Sequence, residues 1–227
     1  MNPLVIAIDS STTATKAIVV DTEGKVLALG RQDIDLLSPE QGFGEHDPRQ
    51  WWTSTRDAVA QALAQLTPAE KERIAAFGIT HQRESFAPFA ADGTPLRNGI
   101  LWLDIRAADQ VQRYGTPEIH ALSGRPADVT PGLYKMAWLK ENEPESLAKA
   151  DKVTTVSAYI AFCLTGKWVD STACSDSLGL FDIAKLDYDE RLLEIAGVRR
   201  EQMADLVKPG QTLGALKPEL AKEWGIA

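Results

Sequence analysis

The sequence predicts an α/β domain with a mixed sheet, made of a three-strand antiparallel meander joined by parallel strands, and with a helical elaboration beside it. Three observations carry that prediction. The first third of the chain consists of short, β-branched apolar runs separated by tight polar turns. A capped amphipathic stretch follows, and after it another apolar run, so a helix can cross over and return the chain to the sheet. From Asp104 onward, apolar residues recur mostly at helical spacing.

Leu4 to Ile8 is almost wholly apolar, as in a strand covered on both faces. It ends in Asp9-Ser10-Ser11-Thr12-Thr13-Ala14-Thr15, small and polar residues suited to a turn. Ala17 to Val20 is the second run; Asp21-Thr22-Glu23-Gly24 punctuates it, and Val26 to Ile34 is the third. Asp47 is placed to cap a helix with Pro48 as its first residue. Trp52, Thr55, Val59, Ala62, Leu63 and Leu66 then form one apolar face. Ile74 to Ile79 reads as a further buried strand. Phe86 to Phe89, the Asp92-Gly93 turn and Ile100 to Leu103 read as a hairpin. Helices are predicted at Leu133 to Lys140, Ala158 to Leu164, Glu190 to Ile195 and Pro218 to Trp224. Repeats, low-complexity tracts and Pro/Gly/Ser linkers are absent, so residues 1–227 read as a single domain.

The 227 residues include 44% apolar and 25% charged side chains, an ordinary globular composition. No apolar run approaches the roughly 20 residues of a membrane span, and the N-terminus lacks a signal-like block, so neither a membrane nor export is expected. The net charge is −8, spread along the chain, which argues against a nucleic-acid partner. Cys163 and Cys174 fit no zinc or redox spacing, so a reduced, cytoplasmic protein is the simplest reading. His46, His81 and His120 are too scattered to suggest a metal site. No G-x-x-x-x-G-K-S/T, G-x-G-x-x-G or G-x-S-x-G is present, so a nucleotide would not be held by a P-loop or a Rossmann fingerprint.

Three segments could carry chemistry. In Asp9 to Lys16, a carboxylate leaves the end of a strand beside a run of hydroxyls and one cation, a combination able to hold hydrated magnesium and phosphate. A polar hairpin with Asp9 bonded to turn amides is the alternative. In Gly78 to Ser85, Arg83 and Glu84 place five donors beside an acceptor at a strand end, a pair able to grip a polyhydroxylated molecule. A surface ion pair between the two is the alternative. Trp102, with Asp104 and Arg106 nearby, could lay its ring on the C–H face of a polyol or simply fill the core. The other tryptophans read as packing residues, and His81 as a structural histidine.

Together these segments resemble the FGGY carbohydrate kinase family, with the glycerol kinase type of substrate motif. Asp9-Ser10-Ser11-Thr12-Thr13-Ala14-Thr15-Lys16 is similar to the family's first phosphate motif, D-x-G-T-T/S-x-x-K/R. Gly42-Phe43-Gly44-Glu45-His46-Asp47-Pro48 with Trp51-Trp52 resembles G-W-x-E-H/Q-D-P-x-x-W, and Gly78-Ile79-Thr80-His81-Gln82-Arg83-Glu84 resembles G-I-x-N-Q-R-E. Leu164-Thr165-Gly166-Lys167 and Asp176 to Asp182 are similar to two later family segments.

The resemblance implies a ribonuclease H-like domain, the fold of sugar kinases, actin and heat-shock ATPases. It implies ATP and magnesium as cofactors and a small sugar or polyol as substrate. Asp9 would face magnesium, with Thr12, Thr13 and Lys16 near the transferred phosphate. Arg83 and Glu84, paired with each other, would hold substrate hydroxyls, and Trp102 would lie against the carbon skeleton. Thr130 stands where glycerol kinases carry a substrate-binding tyrosine, which widens the site. Ser11 replaces a family glycine, and Gln82-Arg83-Glu84 differs from the Gln-Met-His usual in xylulokinases. Family members are about twice this long, so the chain is expected to be the N-terminal, substrate-binding half and to be inactive alone. Its C-terminal ATP-binding domain, carrying the general base, would be a partner, and a homodimer is a further option. Within the chain only Glu84 and Asp104 are near enough in sequence to be weighed as base, but Glu84 reads as a hydroxyl acceptor and Asp104 is not expected in that role. A non-catalytic sugar-binding or interaction module on the same fold is the alternative function; an actin- or chaperone-like ATPase is disfavoured by the Arg83-Glu84 segment.

Overall fold

The computed structural model describes residues 2–226. Its main sheet has the order β3-β2-β1-β5. Strands β1 (Leu4–Ser10), β2 (Ala14–Asp21) and β3 (Val26–Asp33) form the expected meander, and β5 (Ile74–His81) runs parallel to β1. Leu4, Ile6 and Ile8 are buried, whereas Val5 and Ala7 are only half-buried, so β1 has one fully covered face rather than two. In β5 only Ile74 and His81 are buried. The run expected as a buried strand lies at the sheet edge, where one face stays largely open.

Helix α1 (Arg49–Leu63) begins one residue later than expected, because Pro48 already has helical φ and ψ just outside it. The Asp47 carboxylate still accepts from the Arg49 N–H at 3.0 Å. The deeply buried aromatic is Trp51, not Trp52. Its ring meets Phe89 and Tyr159 edge-on, while Trp52 tilts against Trp224 nearer the surface. Helix α1 lies directly on β3 because Gly30 has no side chain: a Cβ there would sit 1.9 Å from the Ala58 carbonyl oxygen. Gly30→Ala must therefore push α1 off the sheet, and a loss of about 1–3 kcal/mol is expected in urea denaturation; an unchanged midpoint would show that the helix slides freely.

A one-turn helix α2 (Pro68–Lys71), closed by a Thr67/Glu70 capping box, leads into β5. The chain then enters a second sheet of order β4-β7-β6-β8, built from β4 (Glu45–His46), β6 (Phe86–Phe89), β7 (Gly99–Ile100) and β8 (Lys152–Thr155). The predicted hairpin is there, with Phe86 opposite Ile100 and the Asp92-Gly93 turn between. It belongs to this second sheet, and its return strand stops at Ile100, leaving Trp102 in a turn. Strand β8 was not expected among the helices; only its Val153-Thr154-Thr155 run betrays it.

Helices α3 (Ala108–Tyr114), α4 (Pro117–Ser123), α5 (Gly132–Asn142) and α6 (Pro144–Ala148) follow β7, and α7 (Val156–Thr165) follows β8. The Leu164-Thr165-Gly166 segment is the end of α7, with Gly166 in the left-handed conformation that stops it. Strand β9 (Val169–Ser171), the four-residue helix α8 (Thr172–Ser175) and a 3-10 turn at Asp176–Leu178 come next. A ribbon of β10 (Phe181–Asp182) and β11 (Asp187–Tyr188), helix α9 (Glu190–Ala196), β12 (Asp205–Val207) parallel to β9, and α10 (Pro218–Trp224) complete the chain. One core cluster joins the main sheet to α1, α7 and α10; a second gathers α3, α4, α5 and α9. Strand β6 links them, giving Phe86 to the second cluster and Ala87 and Phe89 to the first. No helix among the described residues is long and apolar enough to cross a membrane.

Candidate active site

Parallel pairing of β1 with β5 sets Asp9 beside Thr80 and Ser10 beside His81, so the two polar segments leave the sheet together. The Gln82 N–H donates to the Ser10 carbonyl at 2.8 Å and prolongs the pairing past the strand ends. Ser85 Oγ donates to Gln82 Oε1 at 3.1 Å and accepts from the Trp102 N–H at 3.1 Å. Trp102 Nε1 in turn donates to Thr12 Oγ1 at 3.0 Å. The result is an open cleft of about 300 Å³ lined by Asp9, Ser11, Thr12, His81, Gln82, Arg83, Glu84 and Trp102. A larger depression of about 540 Å³, lined instead by Leu96, Arg97 and residues of α6, has none of these groups, so size alone does not select the site.

Of the expected site residues, Asp9, Thr12, Arg83, Glu84 and Trp102 thus meet at one cleft. Trp102 is 42% exposed, which removes the core-filling reading of its ring. Lys16 pairs directly across from Asp9 in the β1–β2 register, exposed and just outside the lining. Thr13 is exposed, and its carbonyl accepts from Ile34. Thr130 lies off the cleft: its hydroxyl donates to Asp128 at 2.7 Å, and its carbonyl accepts from Lys135 Nζ at 2.7 Å.

One expectation is corrected, the Arg83–Glu84 pairing, and one disfavoured alternative, Asp104 as base, is closed. Arg83 does not pair with Glu84; its Nη2 donates to Asp176 Oδ1 at 2.8 Å. Glu84 adopts φ 61°, a left-handed backbone rare outside glycine, and its N–H donates to Ser177 Oγ at 3.2 Å. Asp104 cannot serve as a base at the cleft. It is fully buried, accepts from the Gly44 N–H at 2.7 Å and is ion-paired with Arg106 at 2.7 Å. Arg106 also bonds Glu45 at 2.7 Å and lies 3.8 Å from the Phe43 ring centroid. The Gly42-to-Pro48 motif is therefore a structural knot. Burial works to raise the Glu45 carboxyl, but Arg106, Arg97 and Asn98 override it and hold it below its usual range.

Electrostatics at the cleft follow burial. Burial pushes the Glu84 carboxyl up, against the pull of Arg83, Arg125 and Lys135. Lys135 is fully buried and lowered to about 7 by desolvation, yet its three N–H groups reach the carbonyls of Leu101 (3.0 Å), Trp102 (3.3 Å) and Thr130 (2.7 Å). It ties the Trp102 turn to the Thr130 loop, and nothing in its own helical spacing announced that. His46 accepts from Trp51 Nε1 at 3.0 Å, and burial lowers it to about 4. Burial also lowers His81. The unfolded chain takes up the His46 proton near 6.5, but the native state resists until about pH 4, so the unfolded state binds more protons between those values. Stability should therefore fall on acidification across that window by about 1.4 kcal/mol per pH unit from His46 alone, with His81 acting in the same direction. Urea midpoints from pH 7 to 4.5 check this, and His46→Asn should flatten the slope.

The family model describing the N-terminal domain of the FGGY family of carbohydrate kinases matches residues 4–227. The chain belongs to that family. It is 32% identical to glycerol kinase of Thermococcus gammatolerans over 97% of its own length and 46% of the relative's. It is 30% identical to xylulose kinase of Escherichia coli over 98% of its own length and 46% of the relative's. Its fold is similar to that of the gluconate kinase from Lactobacillus acidophilus, with a TM-score of 0.92, 28% identity, and coverage of 100% of this chain and 46% of that one. The expected ribonuclease H-like fold is thus the fold of this FGGY chain. The chain spans about half the length of the curated relatives it matches.

Proposed function

We propose that this FGGY chain is the substrate-binding part of an ATP-dependent kinase that transfers the γ-phosphate to a hydroxyl of a small sugar or polyol. The observation that carries the reading is the convergence of Asp9 and Thr12 with Arg83, Glu84 and Trp102 on one cleft at the ends of two parallel strands. Open α/β sheets bind ligands at such strand ends. Arg83 has guanidinium donors left after its single bond to Asp176, and these can reach substrate hydroxyls. Glu84 accepts hydrogen bonds from substrate hydroxyls, and the Trp102 ring, held by Thr12, covers the C–H face.

Magnesium fits the residues present as an ion carried in with phosphate. Among the described residues no cluster of three or more His, Cys, Asp or Glu could cage a metal, while Asp9 offers one carboxylate to a cleft lined by hydroxyls. Magnesium takes one or two carboxylates with waters and phosphate oxygens, and when bound it neutralises phosphate charge. Asp9 would hold that ion, and Lys16, opposite it, would add positive charge near the phosphate. The adenine site and the general base are proposed to lie in a second domain, in the length the relatives have beyond this match.

Residues 1–227 alone should therefore bind a polyol and turn over none, because a base is typically worth 10²–10⁴-fold in rate. A coupled ADP-release assay on glycerol, pentitols and ketoses, run beside calorimetry, tests this. Binding without release is expected. Release at roughly 1–100 per second would overturn the division of labour, and absence of all binding would overturn the polyol site.

A further inference from the structure

The 3-10 turn at Asp176–Leu178 holds both members of the proposed polyol clamp from 93 residues away. Asp176 gives one carboxylate oxygen to Arg83 Nη2 at 2.8 Å and the other to Arg125 Nη2; Arg125 Nε also donates to the Asp176 carbonyl at 3.3 Å. The next residue, Ser177, is fully buried, accepts from the Glu84 N–H and donates to the Cys174 carbonyl at 2.8 Å. One turn therefore aims the Arg83 guanidinium and braces the left-handed Glu84 backbone. Arg83 keeps 45% of its side chain exposed on the cleft side of this arrangement.

The charge pattern gives the turn a second consequence. Two guanidiniums converge on one carboxylate. A paired-arginine arrangement without that carboxylate is a fork for planar anions, because guanidinium matches carboxylate and phosphate oxygens two at a time. Here Asp176 fills the fork from within. We infer that Asp176 is a specificity-determining residue: by engaging Arg83 behind the cleft lining, with Arg125 on its other oxygen, it makes the cleft select uncharged polyhydroxylated substrates and reject those carrying a carboxylate or phosphate at the Arg83 end. An anionic substrate would meet an Arg83 that shares the Asp176 carboxylate with Arg125, and Glu84 beside it brings the four groups to no net charge. Asp176 acts through Arg83 and is a positioning group, not a catalytic one. The inference rests on the polyol reading of the cleft.

The test is calorimetric binding to the intact protein of glycerol, erythritol, xylitol and sorbitol, each against the aldonic acid of the same carbon chain. The native protein should prefer the polyol about 100-fold or more, the order expected when the wrong ligand sets like charges side by side. Asp176→Asn should weaken polyol binding roughly 10-fold and strengthen acid binding, so that the preference collapses or inverts. A merely structural role would lower both affinities together and leave their ratio unchanged, and that result overturns the inference. Should the Asn variant not fold, Asp176→Glu keeps the charge one methylene farther out. It should weaken polyol binding while still rejecting the acid; acid binding by that variant overturns the inference. Native protein that binds acid and polyol equally overturns the specificity claim alone. Native protein that binds no polyol overturns the polyol reading, and the inference with it.

Discussion

Arg106→Leu is expected to cost about 3–5 kcal/mol of folding stability, the range for removing one partner from a buried ion pair. The arginine side chain is 1% exposed and lies between Asp104, at 0%, and Glu45, at 7%. Its Nε and Nη2 reach both Asp104 oxygens at 2.9 and 2.7 Å, and Nη2 also reaches Glu45 at 2.7 Å. Leucine would leave Asp104 buried with only the backbone N–H groups of Gly44 and Arg106's own position as donors, and would strip the stacked cation from Phe43. Glu45 would fare better, because Arg97 and Asn98 still reach it at 2.9 and 3.1 Å. Lysine should rescue little, since one ammonium cannot reproduce a planar fork that bonds two carboxylates at once. The measurement is the urea midpoint at constant m-value. A loss below about 1 kcal/mol would mean that water reaches the knot and that its charges are screened.

Removing the polyol clamp should do the opposite, harming binding and sparing the fold. Arg83→Ala and Glu84→Ala are each expected to weaken polyol binding by about 1.5–3 kcal/mol, roughly 10- to 150-fold, the loss of one charged hydrogen bond. The Arg83–Asp176 pair is half-exposed on the arginine side, so its removal should cost the fold about 1 kcal/mol at most. Glu84→Gly sharpens the test. Its φ of 61° is strained for glutamate and free for glycine, so this variant should hold or gain stability while losing the ligand. Calorimetry paired with thermal melting separates the two effects. Unchanged affinity with a lowered melting temperature would make both residues structural.

What the sequence by itself determined was local. The meander, the capped helix α1, the crossover to β5 and the hydroxyl-rich turn after β1 were legible because strand alternation, helical spacing and turn residues each act over a few neighbours. Local chemistry could only nominate the segments around Asp9, Arg83-Glu84 and Trp102, and the family resemblance gave Asp9, Thr12, Arg83, Glu84 and Trp102, along with Thr13, Lys16 and Thr130, their expected roles. The tertiary structure alone decided which groups those residues answer to. Arg83 pairs with Asp176 across 93 positions rather than with its neighbour Glu84, because the fold brings the 3-10 turn of Asp176 and Ser177 against both residues. Asp104, a candidate base by position, is spent on Arg106 and the Gly44 amide 60 residues away. Lys135 sits on a helix face like any core residue, yet it ends on three carbonyls from two loops. Such partnerships carry no period and no fixed spacing. They arise when packing removes water from charged groups, and each buried charge must then be satisfied by whichever donor or acceptor the fold has brought within about 3 Å.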